Sequence, residues 1–170
     1  MNLNHTRIKQ TPLTIITILT LGMSTISAQD LLHNIQLNGG LISAPGADLY
    51  LGKLDYIPQF KLSNDAIRIG INTGIYYSGK SLHVHGGINS SFRIHRFSTL
   101  NQNFTLGGIY FRAAHEWSST SEKILSGALS FEFTQLAFNI TYGRDLHFDN
   151  NWISYGFSFL FTKAETDPDE

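Results

Sequence analysis

The sequence contains no cysteine and few charged residues. Charged side chains make up 15% of its 170 residues, against about 25% in an ordinary soluble domain. The formal net charge is −1, so no nucleic-acid partner is expected. The absence of cysteine excludes thiol chemistry and a small disulfide-stapled scaffold. A chain of this length can bury the core of a single domain without such staples.

Catalytic signatures and helical patterning are also missing. The sequence has no phosphate-binding loop, no GxSxG, no HExxH and no paired CxxC, which are the short motifs that carry recognisable chemistry. No apolar stripe repeats at helical spacing over a useful length. We therefore predict an all-β protein that has no enzymatic activity and no cofactor.

The N-terminus has the three parts of a secretory signal peptide. A basic start at residues 5–9 precedes an apolar core at residues 13–23 and the small-residue site Ile26-Ser27-Ala28. The apolar core is too short for a transmembrane helix, which needs about 20 residues. We predict a signal peptide over residues 1–28, cleaved before Gln29 after Sec-type export. A barrel domain at 29–163 and an acidic, disordered tail at 164–170 would follow.

The mature chain alternates apolar and polar residues with a period of two. The clearest run has Phe157 and Phe159 on one face and Ser154, Gly156 and Ser158 on the other. This period, with aromatic and β-branched residues, predicts strands. Eight such runs are found, at residues 33–41, 47–57, 66–77, 82–95, 103–117, 124–134, 136–143 and 152–162. The fifth run fits either register. Eight antiparallel strands without a helix should close into an up-and-down barrel, because closure removes exposed edges.

The composition of the two rows indicates which side of the barrel is apolar. The polar row consists mainly of Gly, Ser, Asn and Thr, which suit a crowded lumen better than a solvated wall. The other row is rich in Phe, Tyr and Ile, which suits lipid contact. We predict a transmembrane barrel whose lipid-facing residues include Ile71, Phe138, Phe157 and Phe159, with a girdle of Tyr77, Tyr142 and Trp152. The alternative is a secreted, soluble, lipocalin-like barrel with its apolar row inside and a small apolar ligand in its mouth.

In strand number, alternation and the aromatic last strand Tyr155–Phe161, the chain resembles the small eight-stranded outer-membrane barrels of the OmpA/OmpX type. The resemblance covers about residues 30–163. It implies a Gram-negative outer membrane, a periplasmic N-terminus and short outer loops near residues 42–46, 78–80, 118–123 and 144–151. Members with the usual terminal signal end on an aromatic residue, whereas this sequence continues to Glu170. That departure either alters recognition by the barrel-insertion machinery or marks a lineage with a looser signal.

Three histidines share one row of the fourth run and are the candidate metal ligands. His83, His85 and His95 all lie at odd-numbered positions, and Asn89 and Arg93 lie between them on the same row. Residues two apart on a strand are about 7 Å apart along the backbone, so a metal shared by the first two is geometrically possible. No third ligand has a recognisable spacing. The favoured interpretation is a set of lumen side chains hydrogen-bonded to polar neighbours, and no metal site is predicted.

Glu132 is the acidic residue predicted to lie in the middle of a polar row. A buried carboxylate without a partner is costly, and Arg68 and Arg93 lie on rows of the same sense. We predict that Glu132 pairs with one or both arginines inside the lumen. The alternative to a purely structural role for such residues is a membrane-embedded lipid hydrolase.

Such an enzyme needs a nucleophile and a base within hydrogen-bond reach. Ser118, Ser119, His115 and Glu116 are the candidates, although no motif fixes their geometry.

These observations predict a small outer-membrane β-barrel with an envelope-structural or interaction role. Eight strands leave an interior that side chains fill, so a general pore is not expected. The expected partners are outer-membrane lipid and the barrel-insertion machinery, and the expected state is a monomer.

Overall fold

The computed structural model describes residues 31–44, 47–78, 81–98, 105–148 and 150–162. These residues form eight strands. They are β1 (Leu31–Ala44), β2 (Ala47–Leu62), β3 (Ile67–Ser78), β4 (Ser81–Ser98), β5 (Thr105–Ser118), β6 (Lys123–Phe133), β7 (Leu136–Asp145) and β8 (Asn151–Thr162). The predicted signal peptide and acidic tail lie outside the described residues. No helix in the described part of the chain is long and apolar enough to cross a membrane.

The strands form one closed barrel in which each strand pairs with its neighbours in sequence. All pairings are antiparallel, and β1 closes the ring against β8, with Leu37 opposite Phe157. This confirms the predicted eight-stranded, up-and-down barrel. The observed strands include most of every predicted run and extend several of them by a few residues.

The apolar rows face outward and the small polar rows face inward. Phe157 is 61% exposed, whereas the neighbouring Ser158 is fully buried. Ile71, Phe138 and Phe159, predicted to face lipid, are exposed on the outer wall as well. This is the arrangement of a transmembrane barrel. It contradicts the soluble alternative, in which the apolar row would line the lumen.

The ambiguous fifth run has a single register in the structure. Tyr110 and Glu116 of β5 are buried in the lumen, whereas Phe111 and Trp117 are exposed on the outer wall. The pairing of Trp117 with Lys123 and of Phe111 with Leu129 fixes this register against β6.

A β-bulge in β4 overturns the placement of one predicted lumen histidine. Pairing with β5 shifts between Arg93, opposite Tyr110, and His95, opposite Ile109. A bulge inserts one extra residue into a strand and reverses the faces of the residues beyond it. His95 is therefore exposed and packs edge-on against Phe97 at 5.4 Å. The prediction that His95 shares the lumen with His83 and His85 is wrong.

Trp152 also lies on the opposite side from its prediction. It is 8% exposed and belongs to a buried lumen cluster instead of an outer girdle. Its indole lies against Gly143 of β7, where a Cβ atom would come within 2.2 Å of the ring. The strand alternation places Trp152 inward, because it is two residues from the buried Ser154. Tyr77 and Tyr142 remain on the outer wall.

The two ends of the barrel differ in the turns they carry. We call the upper end the one with the β5–β6 turn (residues 119–122) and the β7–β8 turn, of which residues 146–148 and 150 are described. The lower end has the turn at residues 63–66, the turn at residues 134–135 and the start of β1. Ser63, Asn64 and Asp65 all have positive φ angles, of 50°, 54° and 64°. Asn and Asp tolerate this conformation better than most residues, which suits them to this turn.

Candidate functional site: the lumen and its upper mouth

The middle of the lumen is filled by hydrogen-bonded polar side chains. Asn139 donates to the Ser158 hydroxyl at 2.7 Å, and Gln59 donates to Ser91 at 2.9 Å. Gln36 is fully buried and donates to Asn38 at 2.9 Å. Eight-stranded barrels have an interior just wide enough for side chains to fill. These pairs show how the small polar rows of the sequence fill that space.

Towards the upper end, an ionic network joins four adjacent strands. We call it the upper network: Lys53 and Asp55 of β2, Asn72 of β3, His85 of β4 and Glu116 of β5. The Lys53 ammonium donates to both Glu116 oxygens, at 2.9 and 2.8 Å, and lies 3.3 Å from Asp55. Asn72 also donates to Glu116. Glu116 is 3% exposed, so these contacts supply the compensation that a buried carboxylate requires.

Glycines on the lumen face lie against the two acidic residues of the upper network. A Cβ atom at Gly74 would lie 2.6 Å from an Asp55 carboxylate oxygen. One at Gly87 would lie 2.8 Å from the Glu116 Cα atom. Both separations are shorter than van der Waals contact, and the backbone oxygens of Leu54 and His115 lie closer still, at 2.2 Å. A larger residue at either position would therefore push apart the paired strands that carry the network.

His85 lies between the two carboxylates and does not form part of a recognisable metal site. Its Nε2 atom is 2.7 Å from Asp55 Oδ1 and its Nδ1 atom is 3.5 Å from Glu116 Oε2. Neither ring nitrogen is aligned for a hydrogen bond. His83 instead stacks on Tyr76 at 4.9 Å. Within the described ranges, no group of three or more His, Asp or Glu side chains could hold a metal ion.

A second ionic network lies at the lower end. We call it the lower network: Asp65, Arg68, Tyr110, Ser130 and Glu132. Arg68 donates to both Asp65 oxygens, at 2.6 and 2.8 Å, and to Glu132 at 2.8 Å. Its guanidinium lies 3.7 Å from the centre of the Tyr110 ring. Ser130 donates to Glu132 at 3.4 Å. The arginine is therefore held by two carboxylates and one aromatic face.

The predicted pairing of Glu132 is confirmed for one arginine. Among the described residues, the hydrogen bonds of Glu132 come from Arg68 and Ser130, and none comes from Arg93. Asp65, in the β2–β3 turn, was not predicted as a partner. Burial disfavours the charged form of Asp65, but hydrogen bonds and the positive charge of Arg68 outweigh it and lower the pKa of this carboxyl below its usual value.

The structure does not assemble the hydrolase candidates. His115 faces outward and packs against Trp117 at 4.5 Å, whereas Glu116 faces inward and is bound by Lys53. Adjacent residues on a strand point to opposite faces, so these two cannot act on one substrate atom. In the described part of the chain, the Ser118 hydroxyl donates to Glu122 at 2.8 Å and hydrogen-bonds Thr120.

A cavity opens at each end of the lumen. The lower cavity has a volume of about 330 Å³ and is lined partly by the lower network. The upper one, which we call the mouth cavity, has a volume of about 290 Å³. Its inner walls are five buried apolar residues, namely Ile42, Leu51, Tyr76, Ile124 and Trp152. Polar side chains including Lys53, His83, Glu122 and Asp145 also line it.

No family model matches the chain, and no curated protein matches it. The chain is similar to the solution NMR structure of the de novo designed TMB2.3, with 12% sequence identity and a TM-score of 0.44. That alignment covers 77% of this chain and 93% of the designed one. It is also similar to the KdgM porin in complex with disordered oligogalacturonate, with 7% identity and a TM-score of 0.32, over 75% of this chain and 99% of the porin. The fold assignment depends on the closed strand pairing of this chain itself.

Most members of the two networks and of the mouth cavity were not predicted from the sequence. Lys53 and Asp55 are two residues apart, and this spacing could have placed both on one face of β2. Tyr110 could not be assigned to the lumen from the sequence, because its run fits either register. No sequence signal marks the apolar cluster at the mouth, because its members come from five different strands.

Proposed function

We propose that this chain is a small outer-membrane β-barrel of a Gram-negative bacterium, with an envelope-structural or interaction role and without general pore activity. Sec-type export would deliver it to the periplasm. Its partners would be outer-membrane lipid and the barrel-insertion machinery. The ring has no free strand edge to pair with a second copy, which supports a monomer.

The outer wall supports residence in a membrane. The eight strands are 10 to 18 residues long, and a tilted strand needs about 9–11 residues to span a bilayer. Exposed Phe, Ile, Leu and Tyr side chains cover this wall on every strand. An apolar surface of that extent on a soluble monomer would be an aggregation hazard.

The filled lumen is the observation that carries the argument against a pore. An ion passing through would have to separate Lys53 from Glu116 and Arg68 from Glu132. No more than 11% of any of these four side chains is exposed. Removing one partner of a buried pair costs about 3–5 kcal/mol. The barrel would therefore conduct only after disrupting its own interior.

Conductance across a planar lipid bilayer tests this proposal. We expect the full chain, inserted and folded, to give no steady current above the lipid baseline. Removing both pairs together, in Lys53→Ala/Glu116→Ala/Arg68→Ala/Glu132→Ala, should increase ion leakage. Phe159→Ala, a truncation on the outer wall, is the matched control and should leave the baseline unchanged. A steady, porin-sized current from the unaltered protein would refute the closed-lumen proposal. Sedimentation with the inner membrane or the soluble fraction would refute the location.

A further inference from the structure

The mouth cavity differs in character from the rest of the lumen. The middle of the barrel is lined by Asn, Gln and Ser side chains, as expected where polar groups pair with each other. The walls of the mouth cavity are instead apolar, and the five residues that form them are each at most 8% exposed. A concave apolar cavity with a few polar groups at its edge is the usual form of a small-molecule site.

The floor of the cavity is already occupied by the upper network. Lys53 lines the cavity, but its ammonium is bound to Glu116 and lies close to Asp55. These two carboxylates therefore neutralise its positive charge. A ligand in the mouth would meet a closed floor and could not pass further into the barrel.

The volume sets the size of the occupant. An engineered apolar cavity of about 150 Å³ accommodates benzene. The mouth cavity, at about 290 Å³, is about twice as large. It therefore fits an apolar body of about ten to twelve heavy atoms, such as two fused rings.

The edge of the cavity carries two carboxylates. Asp145 accepts backbone N–H groups from His147 at 2.7 Å and Phe148 at 3.3 Å, which fixes it at the end of β7. Glu122 accepts the Ser118 hydroxyl at 2.8 Å. Burial and the negative charge of Asp145 raise the pKa of Glu122, because both disfavour a second negative charge there. A positive charge at this edge would relieve that repulsion.

Aromatic side chains lie within the same cavity. Tyr76, Phe148 and Trp152 are among its lining residues, and aromatic faces attract organic cations. The negative edge and the aromatic walls thus favour the same class of ligand.

We propose that the mouth cavity binds a small organic cation that has an apolar body of about ten to twelve heavy atoms, with the body against Trp152 and Ile124 and the charge beside Glu122 and Asp145. An arylalkyl amine is the simplest member of this class. This binding site goes beyond the proposed structural role and does not depend on it.

NMR titration of the full chain in phosphatidylcholine nanodiscs tests the proposal. The probe is 2-(1-naphthyl)ethylamine, and 1-naphthylacetate and 2-(1-naphthyl)ethanol supply the same body with negative and zero charge. We expect saturable amide shifts at Leu51, Ile124 and Trp152 with the amine, and weaker binding of the neutral and anionic probes. Shifts confined to outer-wall residues would mean partition into lipid and would overturn the proposal.

Two variants separate the contributions of shape and charge. Ile124→Trp fills the cavity and should abolish the shifts, whereas Leu125→Trp places the same side chain on the outer wall and should leave binding intact. Glu122→Gln should weaken the amine about tenfold, equivalent to about 1.4 kcal/mol, and spare the neutral probe.

Unchanged amine affinity in a folded Ile124→Trp, or in Glu122→Gln, contradicts the proposal. If Ile124→Trp does not fold, Glu122→Gln decides alone, because Glu122 lies in a turn outside the strands.

Discussion

Changing Arg68 should destabilise the barrel more than changing its partner Glu132. Glu132 is buried, with 7% of its side chain exposed, whereas Asp65 is 27% exposed in the turn. If Glu132 becomes Gln, Arg68 keeps its two hydrogen bonds to Asp65. If Arg68 becomes Met, both carboxylates lose the cation that hydrogen-bonds to them, and one of them is buried.

The magnitudes follow from what each change leaves behind. Arg68→Met should lower the free energy of unfolding by about 3–5 kcal/mol, since it leaves an unpaired buried charge. Glu132→Gln should cost about 1–3 kcal/mol, the cost of weakening one charged hydrogen bond. The double variant should be more stable than the sum of the two predicts, by about 1–3 kcal/mol, because no buried carboxylate remains at Glu132.

Equilibrium unfolding by urea in lipid vesicles, followed by tryptophan fluorescence, measures all three variants. Arg93→Met is the matched control, because Arg93 also faces the lumen but gives no hydrogen bond to Glu132 in the described part of the chain. Its cycle with Glu132→Gln should be additive within about 0.5 kcal/mol. Additive effects in the Arg68 cycle, or a larger cost for Glu132→Gln than for Arg68→Met, would refute this reasoning.

Three further predictions follow from the two faces of the barrel and its lower turn. Phe157→Arg, in the middle of the apolar wall, should cost about 2–4 kcal/mol in the same unfolding assay, whereas Tyr50→Arg near the upper end should cost about 0–1 kcal/mol; equal costs would contradict lipid contact at Phe157. Lipids with brominated acyl chains should quench the fluorescence of Trp117 in Trp152→Phe but hardly affect Trp152 in Trp117→Phe, and the reverse would place Trp152 outside. Because the pKa of Asp65 is lowered on folding, its stabilising contribution is complete above the ordinary carboxyl pKa of about 4 and is lost as the pH falls through the folded-state pKa. Unfolding measured between pH 7 and pH 3 should therefore lose less stability in Asp65→Asn than in the unaltered protein, and equal losses would exclude this residue as a source.

The strands could be predicted because strict alternation of apolar and polar residues indicates a strand with one apolar and one polar face. A one-residue slip would move every Phe and Ile of β8 from lipid to lumen, so the pattern that fixes the face also fixes the register. β5 lacks this contrast, since Tyr110, Phe111, Ala113 and Ala114 are all apolar to some degree. Its register became clear only from its pairing with β4 and β6.

The lumen contacts were harder to predict because they join strands that are distant in sequence. Glu132 and Arg68 are 64 residues apart, and their meeting depends on the closure and stagger of the ring. The cost of burying a lone carboxylate predicted that Glu132 has a partner, but that argument alone did not choose between Arg68 and Arg93. The bulge between Arg93 and His95 contains no Gly or Pro, so the sequence gives no local signal of it.

The two cavities and the networks beneath them restrict what ligand binding could mean for this barrel. The mouth cavity ends at Lys53, whose ammonium is held by Glu116, and the lower cavity ends at Arg68, which is held by Glu132. A molecule bound at one end would therefore be separated from the other end by two ion-paired layers and the polar side chains between them. Saturable binding without flux is the behaviour that this geometry favours. Measuring amine binding and amine leakage on the same vesicles distinguishes it from transport, since a transporter would show both.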